Sequence, residues 1–150
     1  MKTKETSQTL TLTSPASATT AVGASAFTGA FLQRAEALTI DAKIIGGTGG
    51  TLDVYLQRKI ASDSWLDWVH FPQVAAATTK RYTLTIVGND STIVETGGGS
   101  DAAPGVALAA GTAVNVTPGD TVRVVFVAGV GTSLGASQVI TITPYTERMG

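Results

Sequence analysis

The sequence predicts an all-β fold: a single two-sheet β-sandwich, jelly-roll-like, with a flexible N-terminal arm and a long glycine-rich loop. Three observations lead there. Thr, Ala, Gly and Val dominate, while charged residues make up only 14% of the chain. Helix surfaces draw on Glu, Lys and Arg, whereas pleated, half-exposed surfaces favour Thr and Val. Apolar and polar residues alternate with period two in segment after segment, and no stretch carries a convincing helical period. Glycine-rich runs and single prolines separate those segments at short intervals. The 150 residues form one domain by length, large enough to bury a core without staples.

Taken in order, residues 1–7 are polar and read as a free arm, and the sandwich occupies 8–150. Gln8 to Thr13 alternates, with Leu10 and Leu12 on one face and threonines on the other. Ser14-Pro15 breaks it. Thr19 to Val22 and Ser25 to Leu32 read as two weaker strands interrupted by Gly23 and Gly29. In Glu36 to Ile45, Leu38, Ile40, Ala42 and Ile44 share a face opposite Thr39, Asp41 and Lys43. Gly46 to Gly50 turns the chain, since glycine reaches positive φ at little cost. Thr51 to Lys59 alternates again, with Leu52, Val54 and Leu56 inward and Asp53, Gln57 and Lys59 outward.

After a turn at Ala61 to Ser64, the strand Trp65 to Phe71 departs from the rule. Simple alternation sets Trp65, Asp67, Val69 and Phe71 against Leu66, Trp68 and His70. A strand apolar on both faces is buried on both, or is covered on one by another chain. Lys80 to Val87 alternates cleanly. The stretch from Gly88 to Gly111 offers little regular structure, and a loop that long in a compact domain is functional or disordered. Thr112 to Val116 is a short strand. Thr117-Pro118-Gly119-Asp120 has the Pro-Gly centre of a type II turn. Thr121 to Ala128 follows, then a glycine-rich loop from Gly129 to Ala136, and the last strand runs from Val139 to Tyr145. About eight to ten strands need two sheets, because a single open sheet of that size leaves a face uncovered.

Composition excludes several classes of function. With no cysteine there is no disulfide, thiol nucleophile or cysteine-based metal site. A net charge of −1 without Lys/Arg clusters argues against binding nucleic acid or anionic membranes. No apolar run approaches the roughly 18 residues of a membrane span. The N-terminus has two lysines without an apolar run behind them, so no secretory signal is expected and synthesis belongs in a cytoplasm.

Catalysis has little to draw on. His70 is the only imidazole, and no Gly-x-Ser-x-Gly, HExxH or P-loop pattern surrounds it. The nearest carboxylates for glycoside chemistry are Asp63 and Asp67 with Asp53 beside them, which at hairpin tips and outer faces read as solvated. Asp90, Glu95 and Asp101 in the long loop lack the spacing of a calcium loop. No enzyme activity, cofactor or metal is expected. Trp65 and Trp68 raise the possibility of a sugar platform, but three residues apart on a strand they face opposite sides, so at most one joins it.

The stretches LDVYLQRKIASDSWLDWVHFPQ (52–73) and TVRVVFVAGVGTSLGASQVITIT (121–143) resemble tailed-bacteriophage head decoration, or cement, proteins of the small jelly-roll type. The turn at Ile60 to Ser64 departs from the glycine-rich turn of that pattern. The resemblance implies a structural virion protein. It would bind the outside of an assembled capsid as a homotrimer and stabilise the lattice, with the major capsid protein as partner and the virion surface as location. The subunit interface is then expected at Trp65, Leu66, Trp68, His70 and Phe71, and contact with capsid or neighbour at Lys2, Lys4, Glu5, Glu95 and Asp101. The alternative is a receptor- or glycan-binding module of a phage head or tail.

Overall fold

The computed structural model describes residues 2–14, 20–61, 64–87, 99–100, 103–104 and 108–147. Two antiparallel sheets face each other and account for almost all of it. The first is built on the longest C-terminal strand, β13 (Ser137–Glu147). One edge of β13 pairs with β1 (Lys2–Lys4) and β2 (Gln8–Thr13) in succession; the other pairs with β4 (Ala37–Ile45), which in turn pairs with β8 (Thr79–Val87). In the second sheet β3 (Thr20–Thr28), β12 (Thr121–Ala128), β5 (Thr51–Ala61) and β6 (Ser64–His70) lie in that order. The two-residue strands β7 (Val74–Ala75) and β11 (Thr112–Ala113) extend it beside β5 and β6. A separate pair, β9 (Gly99–Ser100) and β10 (Ala103–Pro104), lies close to β6. The eight main strands thus divide between the sheets in jelly-roll order, β2-β13-β4-β8 facing β3-β12-β5-β6 over one core.

Each sheet turns its apolar parity inward. Leu38, Ile40, Ile44, Ile140 and Ile142 from the first sheet meet Leu52, Leu56, Val122, Val124 and Phe126 from the second, all essentially inaccessible. One buried polar group in this layer is fully engaged. Gln138 is 0% exposed, and its amide accepts from Ile45 N at 2.7 Å and donates to Ile45 O at 3.0 Å, serving Ile45 on the side where the β13–β4 pairing has stopped at Lys43.

Several expectations need correction. The N-terminal arm is not free along its length: Lys2, Thr3 and Lys4 pair with Glu147, Thr146 and Tyr145. The two weak strands expected between Thr19 and Leu32 are one strand, β3, followed by a short helix, α1 (Ala30–Arg34), whose Leu32 is fully buried. Gly29 interrupts the strand, and Ala-Phe-Leu-Gln-Arg are residues a helix accepts readily. The strand expected over Thr112 to Val116 stops at Ala113. Gly119 takes φ 87°, the conformation that the third position of a type II turn requires.

The glycine-rich turn at 46–50 owes its composition to close approach. A Cβ on Gly46 would strike Ala75 O, and one on Gly47 would strike Ser133 O. Both obstacles are backbone, and Thr48 and Ser133 exchange hydrogen bonds at 2.9 Å immediately beside them. Three turns therefore close one end of the sandwich by packing main chain on main chain. That arrangement leaves the β5–β6 hairpin to deal with the other end and the outer face.

Candidate functional site

The hairpin β5–β6 and the return segment 108–116 build the most chemically loaded surface of the chain. Its geometry begins with a β-bulge. Leu56 pairs with Val69, but Gln57 pairs with Asp67, so Trp68 is the extra residue on β6. A bulge inserts one residue and resets the parity that follows. Trp65 and Asp67 point outward before it, and His70 points outward after it. Trp68, Val69 and Phe71 all enter the core, at 0%, 1% and 1% exposure. The broken alternation of Trp65 to Phe71 is therefore the signature of this bulge. It does not divide the apolar residues between two faces.

The return segment covers the outer side of β6 at Asp67 and His70. The carboxylate of Asp67, only 1% exposed, accepts from Gln57 Nε2 at 2.8 Å and from Leu108 N at 3.2 Å. His70 Nδ1 donates to Leu108 O at 2.7 Å, since a carbonyl can only accept. Its Nε2 meets Asp53 Oδ1 at 2.9 Å, and Gln73 Nε2 donates to the other oxygen of Asp53 at 2.8 Å. Both main-chain polar groups of Leu108 are thus held by side chains of β6. Gly111 N and Val114 N then donate to the carbonyls of His70 and Trp68, at 2.9 and 2.8 Å. From the core side, Trp68 Nε1 donates to Val116 O at 2.9 Å. These contacts form a clasp that fastens 108–116 along the edge and over the face of the hairpin.

Next to the clasp, the Tyr55 ring stacks on His70 with centroids 3.9 Å apart and planes 21° from parallel. Burial, followed by the nearby charges of Asp53 and Asp67, pushes the Tyr55 phenol up from 10.0 to about 12. The sign of the consequence is fixed. Above pH about 10 the unfolded chain releases this proton while the folded chain keeps it. The stability tied to Tyr55 is therefore intact below that pH and is lost as the pH climbs towards about 12. A phenolate absorbance titration should show one late step near pH 12 that Tyr55→Phe removes, and the alkaline loss of stability in that variant should be shallower. A Tyr55 step at the ordinary phenol position would contradict the packing described.

Further along the same face, Trp65 carries the Arg123 guanidinium 4.3 Å from its ring centroid, with Lys59 Nζ at 5.9 Å. Arg123 Nε also donates to Gln57 Oε1 at 2.9 Å, linking the tryptophan to the Asp67 row. Cation–π contact of this kind stabilises by roughly 0.5–1 kcal/mol at exposed sites and occupies the ring face that a sugar would stack on. Arg58 takes the inner parity at the rim of the same hairpin. Burial lowers its pKa, and its Nε has no hydrogen-bond partner.

The residues expected at a subunit interface are therefore separated by the fold. Trp68 and Phe71 lie in the core, His70 is 5% exposed within the clasp, and Trp65 and Leu66 keep partial exposure. Lys2 and Lys4 are exposed on β1, and Glu5 follows them with its N–H on Pro144 O. Glu95, Asp101, Asp63 and Asp90 lie outside the described residues. The sequence reading overlooked Gln57, Gln73 and Leu108. A glutamine on the Asp67 parity was the available signal for the first; nothing marked the other two.

Chemically, this face is built for holding. Both nitrogens of His70 are engaged, Nδ1 with Leu108 O and Nε2 with the Asp53 carboxylate, and neither partner is a hydroxyl or a thiol. Among the described residues no group of three or more His, Asp or Glu side chains could hold a metal ion, and no helix is long and apolar enough to cross a membrane. Compared with known proteins, the chain matches no family model, no curated protein and no solved structure.

Proposed function

We propose that this chain is a structural virion protein that attaches as a trimer to the outside of an assembled phage capsid and stiffens it. The observation that carries the reading is the arrangement of the two stretches resembling head decoration proteins. Residues 52–73 and 121–143 are far apart in sequence, yet β12 pairs with β5 and β5 with β6. β12, β5 and β6 form one contiguous unit, with the rest of 121–143 entering β13 of the facing sheet, and the polar groups of that unit are engaged in internal hydrogen bonds, as suits a scaffold. Further support comes from the outer face of the first sheet, where hydroxyls bond in pairs across strands: Ser7 with Thr143, Thr9 with Thr141, and Thr39 with Thr85. A face whose hydroxyls are paired in this way is suited to lying against another protein.

On this reading the major capsid protein is the partner, Lys2, Lys4 and Glu5 belong to the contacting side, and many weak attachments act together on one lattice. Binding only the assembled lattice would stabilise it by mass action. The test is to measure the solution mass of the purified chain and to mix it with heads that lack it. A mass that is a multiple of three chains, with co-sedimentation at a copy number near that of the capsid subunit, is the expected result. A monomer that stays in the supernatant would overturn the proposal.

A further inference from the structure

The jelly roll leaves four sheet edges, and three of them are blunted. The β1/β2 edge is split at Glu5 to Ser7, β3 lies against a register shift at Arg123/Val125, and β11 is two residues long. The fourth, β8, pairs with β4 over nine consecutive residues without a shift, and among the described residues no strand pairs with its other side. Long regular edges are templates for a further strand.

The direction of its free groups can be read from one contact. Val87 N donates to the side chain of Asn115 at 3.1 Å, so the Val87 N–H points away from β4. In an antiparallel strand that direction repeats every second residue. The N–H and C=O groups of Arg81, Thr83 and Thr85 therefore also face off the sheet, and these three residues are exposed. Beside them a groove of about 220 Å³ separates β8 from β11, lined by Phe71, Pro72, Tyr82, Leu84 and Ala113. The inner-parity side chains of β8, Tyr82 and Leu84, are only half-buried there.

We infer that the β8 edge is a self-association surface: two copies of this chain pair β8 with β8 in antiparallel register about a two-fold axis at Thr83. The strand is complementary to itself in this register and poorly matched to itself in the neighbouring ones. Thr83 meets the partner's Thr83, and Arg81 meets the partner's Thr85, which joins outward-facing backbone groups in about six hydrogen bonds. Tyr82 comes opposite the partner's Leu84, closing the groove with two aromatic–aliphatic pairs. The charges agree. Lys80 and Arg81 sit at one end of the strand, so the antiparallel sense keeps the two basic ends apart. A slip by two residues one way drives Lys80 against the partner's Leu84, and a slip the other way runs into Asn115. Lys80, a charge on the inner parity opposite Ile44, thus fixes the register while standing outside the paired segment 81–85. On the outer face the row Thr9–Thr141–Asp41–Thr83 continues directly into the partner subunit's sheet.

This contact is two-fold and does not depend on the capsid proposal. The experiment is light scattering on the purified chain across a concentration series, comparing wild type, Thr83→Val and Thr83→Pro. Proline removes an N–H that points out of the folded unit, so the fold tolerates it while an added strand does not. Wild type and Thr83→Val should reach the same associated mass, and Thr83→Pro should have roughly half of it. A dimer becoming a monomer, or a hexamer becoming a trimer, supports the inference equally and reads the three-fold proposal separately. A folded Thr83→Pro with the wild-type mass would overturn it. If that variant does not fold, amide exchange of wild type decides: Thr83 and Thr85 should exchange roughly 100-fold more slowly in concentrated than in dilute solution, and equal rates would overturn the inference.

Discussion

Trp68→Ala is expected to lower the unfolding free energy by about 3–5 kcal/mol, the range for removing a fully buried large aromatic. Trp68 is 0% exposed, occupies the bulge of β6, and donates through Nε1 to Val116 O. Its own carbonyl accepts from Val114 N, so core packing and the return segment meet at this residue. Trp68→Phe keeps most of the volume and gives up the indole hydrogen bond, and so should cost about 1 kcal/mol plus a smaller packing loss. Trp65→Ala is the contrast. It removes an outward ring under Arg123 and should cost no more than about 1 kcal/mol. Denaturant unfolding monitored by circular dichroism separates them, with a shifted midpoint at unchanged slope as the mark of a stability effect. Equal costs for the two tryptophans would contradict the bulge.

Asp67→Ala should destabilise by about 2–4 kcal/mol although it removes no apolar surface. It strands two donors, the buried Gln57 Nε2 and the partly buried Leu108 N, whose acceptors are the two oxygens of Asp67. Asp67→Asn keeps one acceptor and should fall between wild type and alanine. Protease sensitivity near Leu108 should rise in the alanine variant, and Tyr55 should titrate below about 12 because one of the charges opposing its ionisation is gone. An Asp67→Ala protein as stable and protease-resistant as the parent would show that the carboxylate fastens nothing.

Why some of this was legible in the sequence, and some was not, follows from the range of the interactions. Leu38, Ile40, Ala42 and Ile44 alternate because β4 is central to one sheet with one face on the core, and period two reports that directly. The same holds for Leu52 to Leu56 and Val122 to Phe126. The break after Trp65 was visible too, but its cause was not. A bulge is decided by the partner strand, and a single strand's pattern cannot separate an inserted residue from a second buried face. The helix at Ala30–Arg34 is too short to display a period. The pairing of Lys2 to Lys4 depends on the far end of the chain, at Tyr145 to Glu147. Asp53, Asp67 and His70 were picked out individually as candidates. Their common task, holding Leu108, is invisible without the crossover that brings it there, because the bonds to Leu108 use its main chain and carry no sequence signature.

That shared task is also the core of the functional reading, since it fastens the return segment to the hairpin. The most direct measurement is residue-resolved hydrogen exchange of the Leu108 amide, whose acceptor is Asp67 Oδ2. If the clasp is an integral part of the fold, this amide exchanges only through global unfolding, at a rate matching the β5 and β6 core amides, and Asp67→Ala abolishes that protection. An amide at Leu108 that exchanges in the wild-type protein as fast as an exposed loop would contradict the clasp, and with it the account of the hairpin as a fastening device.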